Sequence, residues 1–314
     1  VNISSLDSGP RAQVEAFQLN TPVLSMPHIG SSDLIEIGRN GEIAENFDDI
    51  PNKLKIMLDN YDRYSLNTFD KYLKSDVMMP NLVQNIKDNF KNGEGTNWGN
   101  LHPCCLSGSA RFFKPSYSIF LTKKWIPSLD GADEMLSKGI TFADIGCGHG
   151  YSTYLIAQKY VNSKVVGIDP HEPSITEAKK NNNKINNLEF RVNNAKNYEG
   201  KYDIIAFFDC LHDMGDPLGA IKYAKTKLNS NGIIMLVEPT ADDLPENNFN
   251  IIGQLYYSFS TIACIPASKS QEVGLALGAQ AGPQKLFSIL NEAGFKNTKV
   301  TYKTASNMVI QGKL

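Results

Sequence analysis

A chain of 314 residues in which 41% are apolar is long enough for one large or two ordinary domains, each with a proper core. Its 31 Lys and Arg against 33 Asp and Glu leave a net charge of −2, and the first sixty residues hold nine acids against four bases, so no cationic field serves a nucleic acid and DNA or RNA binding is not expected. No run approaches the roughly 18–20 apolar residues of a membrane span, and the N-terminus lacks a charged-then-apolar leader, which makes a cytoplasmic location the expectation and excludes a membrane partner.

In chain order, Ser4 to Gly30 is rich in Ser, Pro and Gly and reads as mostly irregular, with a short amphipathic piece around Val14 to Phe17. Helices are predicted at Lys53 to Tyr64, Thr68 to Leu73 and Asn81 to Phe90, with Pro51 and Pro80 as openers and Gly93 and Gly95 as stops. A loop from Gly95 to Gly108 follows, and then apolar residues from Phe112 to Ile126 predict bridging helices within Ala110 to Leu129. Beyond them strands and helices alternate. Strands are predicted up to Ile145, at Lys164 to Asp169, Leu188 to Val192, Tyr202 to Asp209 and Gly232 to Val237, with a closing pair at Asn297 to Tyr302 and Asn307 to Gln311. Helices are predicted at Ser152 to Tyr160, Pro173 to Lys184, Pro217 to Leu228 and Pro283 to Ala293, three of them opening on proline. This order means an α/β, doubly wound sheet.

The most informative segment is Ala143-Asp144-Ile145-Gly146-Cys147-Gly148-His149-Gly150, a buried strand end running into a tight glycine turn. Glycines there permit positive φ and let a nucleotide-sized ligand lie against bare backbone. A glycine turn alone is a weak signal, because dinucleotide-binding folds share it. Asp144 precedes the glycines, Asp169 ends the next strand, Asn194-Ala195 follows the third, and Asp209-Cys210 ends the fourth. Together these resemble the ordered signature of class I S-adenosylmethionine-dependent methyltransferases, whose seven-stranded, Rossmann-like sheet closes on an antiparallel hairpin. The resemblance implies S-adenosylmethionine as cofactor and S-adenosylhomocysteine as product. It implies a cofactor set of Asp144, Gly146, Cys147, Gly148, Asp169, Asn194, Ala195, Asp209 and Cys210, with Asp169 on the ribose hydroxyls and Asn194-Ala195 at the adenine.

Five separated blocks, from Ala143 to Thr153, Asp209 to Pro217, Leu236 to Pro239, Ser260 to Pro266 and Leu277 to Gly282, look like the branch of that family carrying a winged-helix-like N-terminal domain. The similarity runs from about Gly93 to the C-terminus and thins before residue 40, where only something like a wing is visible near Phe17 to Pro27. The expected domains are residues 1–108, mainly helical and reduced winged-helix-like; 109–137, bridging helices; and 138–314, the cofactor-binding domain with a lid-like insertion at 241–282. A homodimer through the N-terminal domain is the implied assembly.

His212, in Leu211-His212-Asp213, follows the fourth strand and resembles the base of small-molecule O-methyltransferases, with Glu238 as the acid that orients it. An imidazole of ordinary pKa near 6.5 accepts a proton near neutral pH. The bland alternatives are packing or capping for His212, and backbone donors that satisfy Glu238. A further acid of that enzyme group is replaced here by Gln280, which cannot serve as a base. The insertion holds Tyr256, Tyr257, Ser260 and Gln271, and with Gln280 these are the candidate substrate contacts; a dimer interface would use the same residue types. Cys104, Cys105, Cys147, Cys210 and Cys264 are odd in number and lack Cys-x-x-Cys spacing, so reduced thiols and no metal are expected. The function these features favour is methylation of an O or N atom of a small organic metabolite. A macromolecular methyltransferase and a non-catalytic, cofactor-sensing regulator are the alternatives.

Overall fold

The computed structural model describes residues 23–25, 35, 37–39, 41–60, 63–64, 86–101, 103–182 and 184–314. The chain divides into two compact units, Val1–Lys87 and Asp88–Leu314. Residues 88–108, on the N-terminal side of the expected boundary, and the bridging segment 109–137 both fall in the sheet-containing unit.

In the first unit β1 (Val23–Ser25) pairs in parallel with β2 (Gly41–Ile43), and α1 (Ile50–Asp59) follows with a proline in its first turn. Leu24, Ala44, Met57 and Tyr64 form a small core. Buried Glu42 is compensated there by Tyr64, whose hydroxyl donates to it at 2.6 Å, and by Lys53 at 3.1 Å. Helix α1 begins three residues before its expected start and stops at Asn60, whose side chain folds back onto the Ile56 carbonyl. The strand inside the wing-like stretch pairs in parallel, whereas a wing is an antiparallel hairpin. The helix expected at Thr68 to Leu73 lies outside the described residues.

In the second unit, residues 88–92 are helical and end at Gly93, as its φ of +74° allows. The expected loop from Gly95 to Gly108 is instead interrupted by a 3₁₀ turn at Trp98–Asn100 and by the start of α2 (Pro103–Ser116). Asn97 caps that turn by accepting the Gly99 N–H, and a proline at the first position of α2 needs no donor, so both starts have local causes. Pro115 removes a donor near the end of α2, and the chain continues as a π-helix over Tyr117–Trp125 that buries Tyr117, Leu121 and Trp125.

The sheet contains β3 (Thr141–Ile145), β4 (Lys164–Asp169), β5 (Leu188–Val192), β6 (Tyr202–Phe208), β7 (Leu228–Pro239), β8 (Lys296–Lys303) and β9 (Asn307–Lys313), in the order β5-β4-β3-β6-β7-β9-β8. The first five are parallel, β9 is antiparallel to β7, and β8 is antiparallel to β9. The remaining helices are α3 (Ala132–Lys138), α4 (Tyr151–Lys159), α5 (Glu172–Asn181), α6 (Pro217–Lys227), α7 (Ile251–Phe259), α8 (Ile265–Lys269) and α9 (Pro283–Glu292). Strand residues alternate between two buried faces: Ile205, Phe207, Ile234 and Leu236 pack with α6 and α9, while Ile204, Ala206, Ile233 and Met235 pack with α4 and Trp125. Covering on both faces explains why these strands read as continuous apolar runs. The fold is the class I methyltransferase sheet with its closing hairpin.

Three glycines with positive φ, Gly146, Gly148 and Gly150, connect β3 to α4. A Cβ at Gly150 would enter the Phe190 ring, while one at Gly148 would meet open space. Gly148→Ala should therefore cost about 1 kcal/mol for its backbone conformation alone, and Gly150→Ala about 2–4 kcal/mol once the clash is added. Urea unfolding of the two variants measures the difference, and equal losses would contradict the packing described.

Candidate functional site

Parallel strands all end at the same edge, and the glycine turn brings backbone there. The N–H groups of Gly146 and Cys147 donate to the Ile168 carbonyl at 2.7 and 3.2 Å, and the Gly148 N–H donates to Asp169 Oδ2 at 2.9 Å. The other Asp169 oxygen accepts the His171 N–H at 2.8 Å. Burial raises the Asp169 pKa against these two donors, yet each oxygen keeps acceptor capacity for a further partner. Asp144 is fully buried. Its Oδ2 accepts Ser152 Oγ at 2.6 Å and Thr153 Oγ1 at 2.7 Å, both from the first turn of α4, while its Oδ1 has no hydrogen-bond partner. Burial outweighs those donors and pushes the Asp144 carboxyl up to about 6. Asn194 folds its Oδ1 onto the Lys196 N–H at 2.9 Å, which shapes the loop after β5, and Ala195 packs against the core.

An orphaned buried carboxylate oxygen, a second carboxylate with spare acceptors and an uncovered glycine lie at one strand edge. That donor and acceptor set fits a ligand carrying an amino group and a diol, as S-adenosylmethionine does.

The end of β6 is more constrained than its sequence suggests. Asp209 adopts φ +49°, and both of its oxygens are taken from inside: Tyr117 donates its hydroxyl at 2.8 Å and Asn307 its amide at 2.7 Å. Burial, with Glu238 nearby, holds the Asp209 carboxyl well above the usual range. Its carboxylate is thus a structural tie between the π-helix and the closing hairpin, and the expected cofactor contact would have to share it. The Cys210 thiol points back to the Ile145 carbonyl at 3.1 Å. Burial raises the Cys147 and Cys210 thiols far above neutrality, so both behave as small apolar groups.

A 3₁₀ turn over Leu211–Asp213 presents His212. Its Nδ1 lies 2.5 Å from Glu238 Oε2, and Glu238 Oε1 accepts the Leu211 N–H at 3.0 Å. His212 Nε2 lies 3.3 Å from Asp213 Oδ1, and Cys264 approaches from the insertion. Burial works against an imidazolium, but Asp213, Glu238 and Cys264 outweigh it and hold His212 well above its ordinary value. That direction differs from the ordinary pKa expected of an isolated imidazole.

The insertion consists of a 3₁₀ turn at Pro245–Asn248, α7, a π-helical stretch at Ser260–Cys264 and α8. It is fastened to the turn after β6. Ser268 Oγ donates to the Met214 carbonyl at 2.9 Å, Leu275 N–H donates to Gly215 at 2.9 Å, and Lys196 bridges Asp216 and Glu272. Gln271 belongs to this fastening, since its amide donates to the Asp213 and Ala267 carbonyls and accepts the Gly215 N–H. Tyr256 is buried and donates to the Ser306 carbonyl, and buried Ser260 accepts the Ala279 N–H. Tyr257 instead faces an open surface groove on α7, with Asn248, Gln254 and Thr261. Of the five candidate substrate contacts, Gln280 alone leaves a buried acceptor, Oε1, without a partner. Sequence patterns do not single out Tyr117, Asn307 or Lys196, whose partners Asp209, Asp216 and Glu272 lie 20 to 98 positions away.

Several known proteins are similar to this chain. A tRNA U34 carboxymethyltransferase of Campylobacter lari is 28% identical over 125 residues, 38% of this chain and 42% of that protein. Among solved structures, human N-acetylserotonin methyltransferase gives a TM-score of 0.54 at 16% identity, covering 74% of this chain and 66% of its own. An O-methyltransferase family protein from Burkholderia thailandensis gives 0.52 at 12% identity, covering 66% and 57%. The chain thus spans less than half the length of the curated relative, and the structural likeness concerns the fold. Residues 136–294, just over half of the chain, match the family described as a methyltransferase domain, and the protein belongs to that family.

Proposed function

We propose that this protein is an S-adenosylmethionine-dependent methyltransferase acting on an oxygen or nitrogen atom of a small organic molecule. The observation that carries this reading is the buried His212–Glu238 pair beside the glycine turn, at the edge where Asp144 and Asp169 offer acceptors. When bound, the cofactor supplies a methyl carbon on a positively charged sulfonium. Asp169 would hold the ribose hydroxyls, Asp144 Oδ1 the amino group, and the bare backbone at Gly148 would lie against the adenosyl part. Asn194 and Ala195 would border the adenine. The free Gln280 Oε1 would accept a hydrogen bond from the substrate, while Tyr256, Ser260 and Gln271 would shape the enclosure without touching it.

Glu238 fixes the His212 ring, so Nε2 is the nitrogen left to take a proton from the acceptor atom. The direction of the His212 shift moves the form able to accept that proton towards higher pH. Overall charge argues against a nucleic-acid substrate, because a net charge of −2 gives no phosphate-attracting field.

Three outcomes test these roles. With methyl-labelled cofactor and a fractionated metabolite extract, the protein should label a small molecule; labelling of macromolecules alone would overturn the substrate class. On the labelled substrate, kcat/KM should rise with pH to a midpoint well above 6.5, and His212→Ala should lower turnover about 10²–10⁴-fold without loss of cofactor affinity. A flat pH profile together with an unchanged rate in that variant would remove the base role.

Asp144 also links function to stability. Its folded carboxyl binds a proton more tightly than the unfolded one, so stability falls as pH rises from about 4 to about 6 and stays reduced above. Asp144→Asn should therefore gain on the order of 1–3 kcal/mol at pH 7.5, with the gain shrinking towards pH 4, and should weaken cofactor binding about tenfold. Denaturant titrations across this range check the sign, and a pH-independent loss of stability would contradict it.

A further inference from the structure

His212 Nε2, Asp213 Oδ1 and Cys264 Sγ all lie within 4.8 Å of one another, brought together from the turn after β6 and the end of the π-helical stretch. Tetrahedral zinc with bond lengths of about 2.0–2.3 Å needs donor atoms about 3.3–3.8 Å apart, so a contraction of about an ångström closes the set. His212 and Asp213 already meet that spacing at 3.3 Å.

Two further features point to an ion. The buried Asp213 Oδ1 atom forms no regular hydrogen bond and faces the other two members of the set, His212 Nε2 at 3.3 Å and Cys264 Sγ, so a cation among the three would meet a poorly met acceptor. On the far side of the imidazole, Nδ1 is held by buried Glu238, which in turn accepts the Leu211 N–H. A carboxylate on one nitrogen, itself hydrogen-bonded, is the arrangement that orients a metal-ligating histidine and raises its basicity. Glu238 and Asp213 also place two carboxylates around a site from which water is largely excluded.

We propose that His212, Asp213 and Cys264 bind one zinc-type divalent cation, with the fourth position open. Sulfur and nitrogen donors select zinc and similar borderline ions over magnesium or calcium, which require oxygen sets. The ion joins the insertion to the turn after β6. It also occupies the Nε2 lone pair, so ion and substrate proton compete and zinc inhibits methyl transfer. This last consequence rests on the function proposed above; ion binding does not.

Cobalt(II) added to reduced, chelator-stripped protein reports the site directly. The expected result is one cobalt per chain, visible d–d bands of a tetrahedral ion, a thiolate-to-cobalt absorption in the near ultraviolet, and displacement of both by zinc. Cys264→Ala, or the volume-conserving Cys264→Ser if the first does not fold, should abolish the thiolate absorption. Asp213→Asn should keep it while weakening affinity about 10–100-fold. Absence of these bands with cobalt well in excess of the protein, or their persistence without Cys264, overturns the proposal. S-adenosylhomocysteine binding measured on the same samples separates this outcome from a failure of the methyltransferase reading.

Discussion

The acceptance of three successive backbone N–H groups by the end of β4 is the constraint on which the site depends. Ile168 takes the donors of Gly146 and Cys147 through its carbonyl, and Asp169 takes that of Gly148 through its side chain. Because β3 and β4 pair in parallel with Ile145 opposite Ile168, the two strands end level and the turn has nowhere else to place these donors. Left-handed glycines make the turn tight enough to reach them, and Phe190 packs under it where a Cβ would otherwise sit. Asp144, one residue before the end of β3, is then carried beneath the turn, where Ser152 and Thr153 from α4 meet it.

Negative charge is concentrated and buried along this edge. Asp144, Asp209 and Glu238 stand at or just beyond the ends of β3, β6 and β7, and each is less than a tenth exposed. Charges so placed cost free energy unless donors or cations meet them. The fold meets most of that cost internally, through two hydroxyls at Asp144, through Tyr117 and Asn307 at Asp209, and through His212 and Leu211 at Glu238. Asp144 Oδ1 stays without a hydrogen bond, and Asp213 Oδ1 faces His212 Nε2 at 3.3 Å without a regular one; these are the two atoms proposed to meet a cofactor and a cation. A site that leaves specific buried acceptors open trades stability for binding.

Much of this architecture is legible in the sequence because a parallel sheet covered on both faces writes itself as short apolar runs separated by turn residues. The bounds Leu188 to Val192 are those observed, and the helices at Pro217 and Pro283 start where proline allows. The insertion is less legible for a physical reason: Tyr256, Ser260 and Gln271 have the composition of a recognition surface, but which face of a short helix turns inward depends on tertiary contacts. All three use their polar groups on the protein's own backbone. Likewise, the ties from Tyr117 and Asn307 to Asp209 span most of the sheet-containing unit, and His212 meets Cys264 across 52 positions, so neither spacing nor cysteine counting finds them. The imidazole's raised pKa follows from that same convergence, since sequence places only Asp213 beside it.

The central claim is that the strand edge formed by β3 and β4 holds S-adenosylmethionine through Asp144 and Asp169. A crystal structure of the protein with S-adenosylhomocysteine tests it most directly. The account predicts the ribose hydroxyls on the Asp169 carboxylate, the amino group at Asp144 Oδ1 directly or through one water, and the adenosyl part against Gly148. Ligand bound elsewhere, or a strand edge that stays free at saturating ligand, would contradict it.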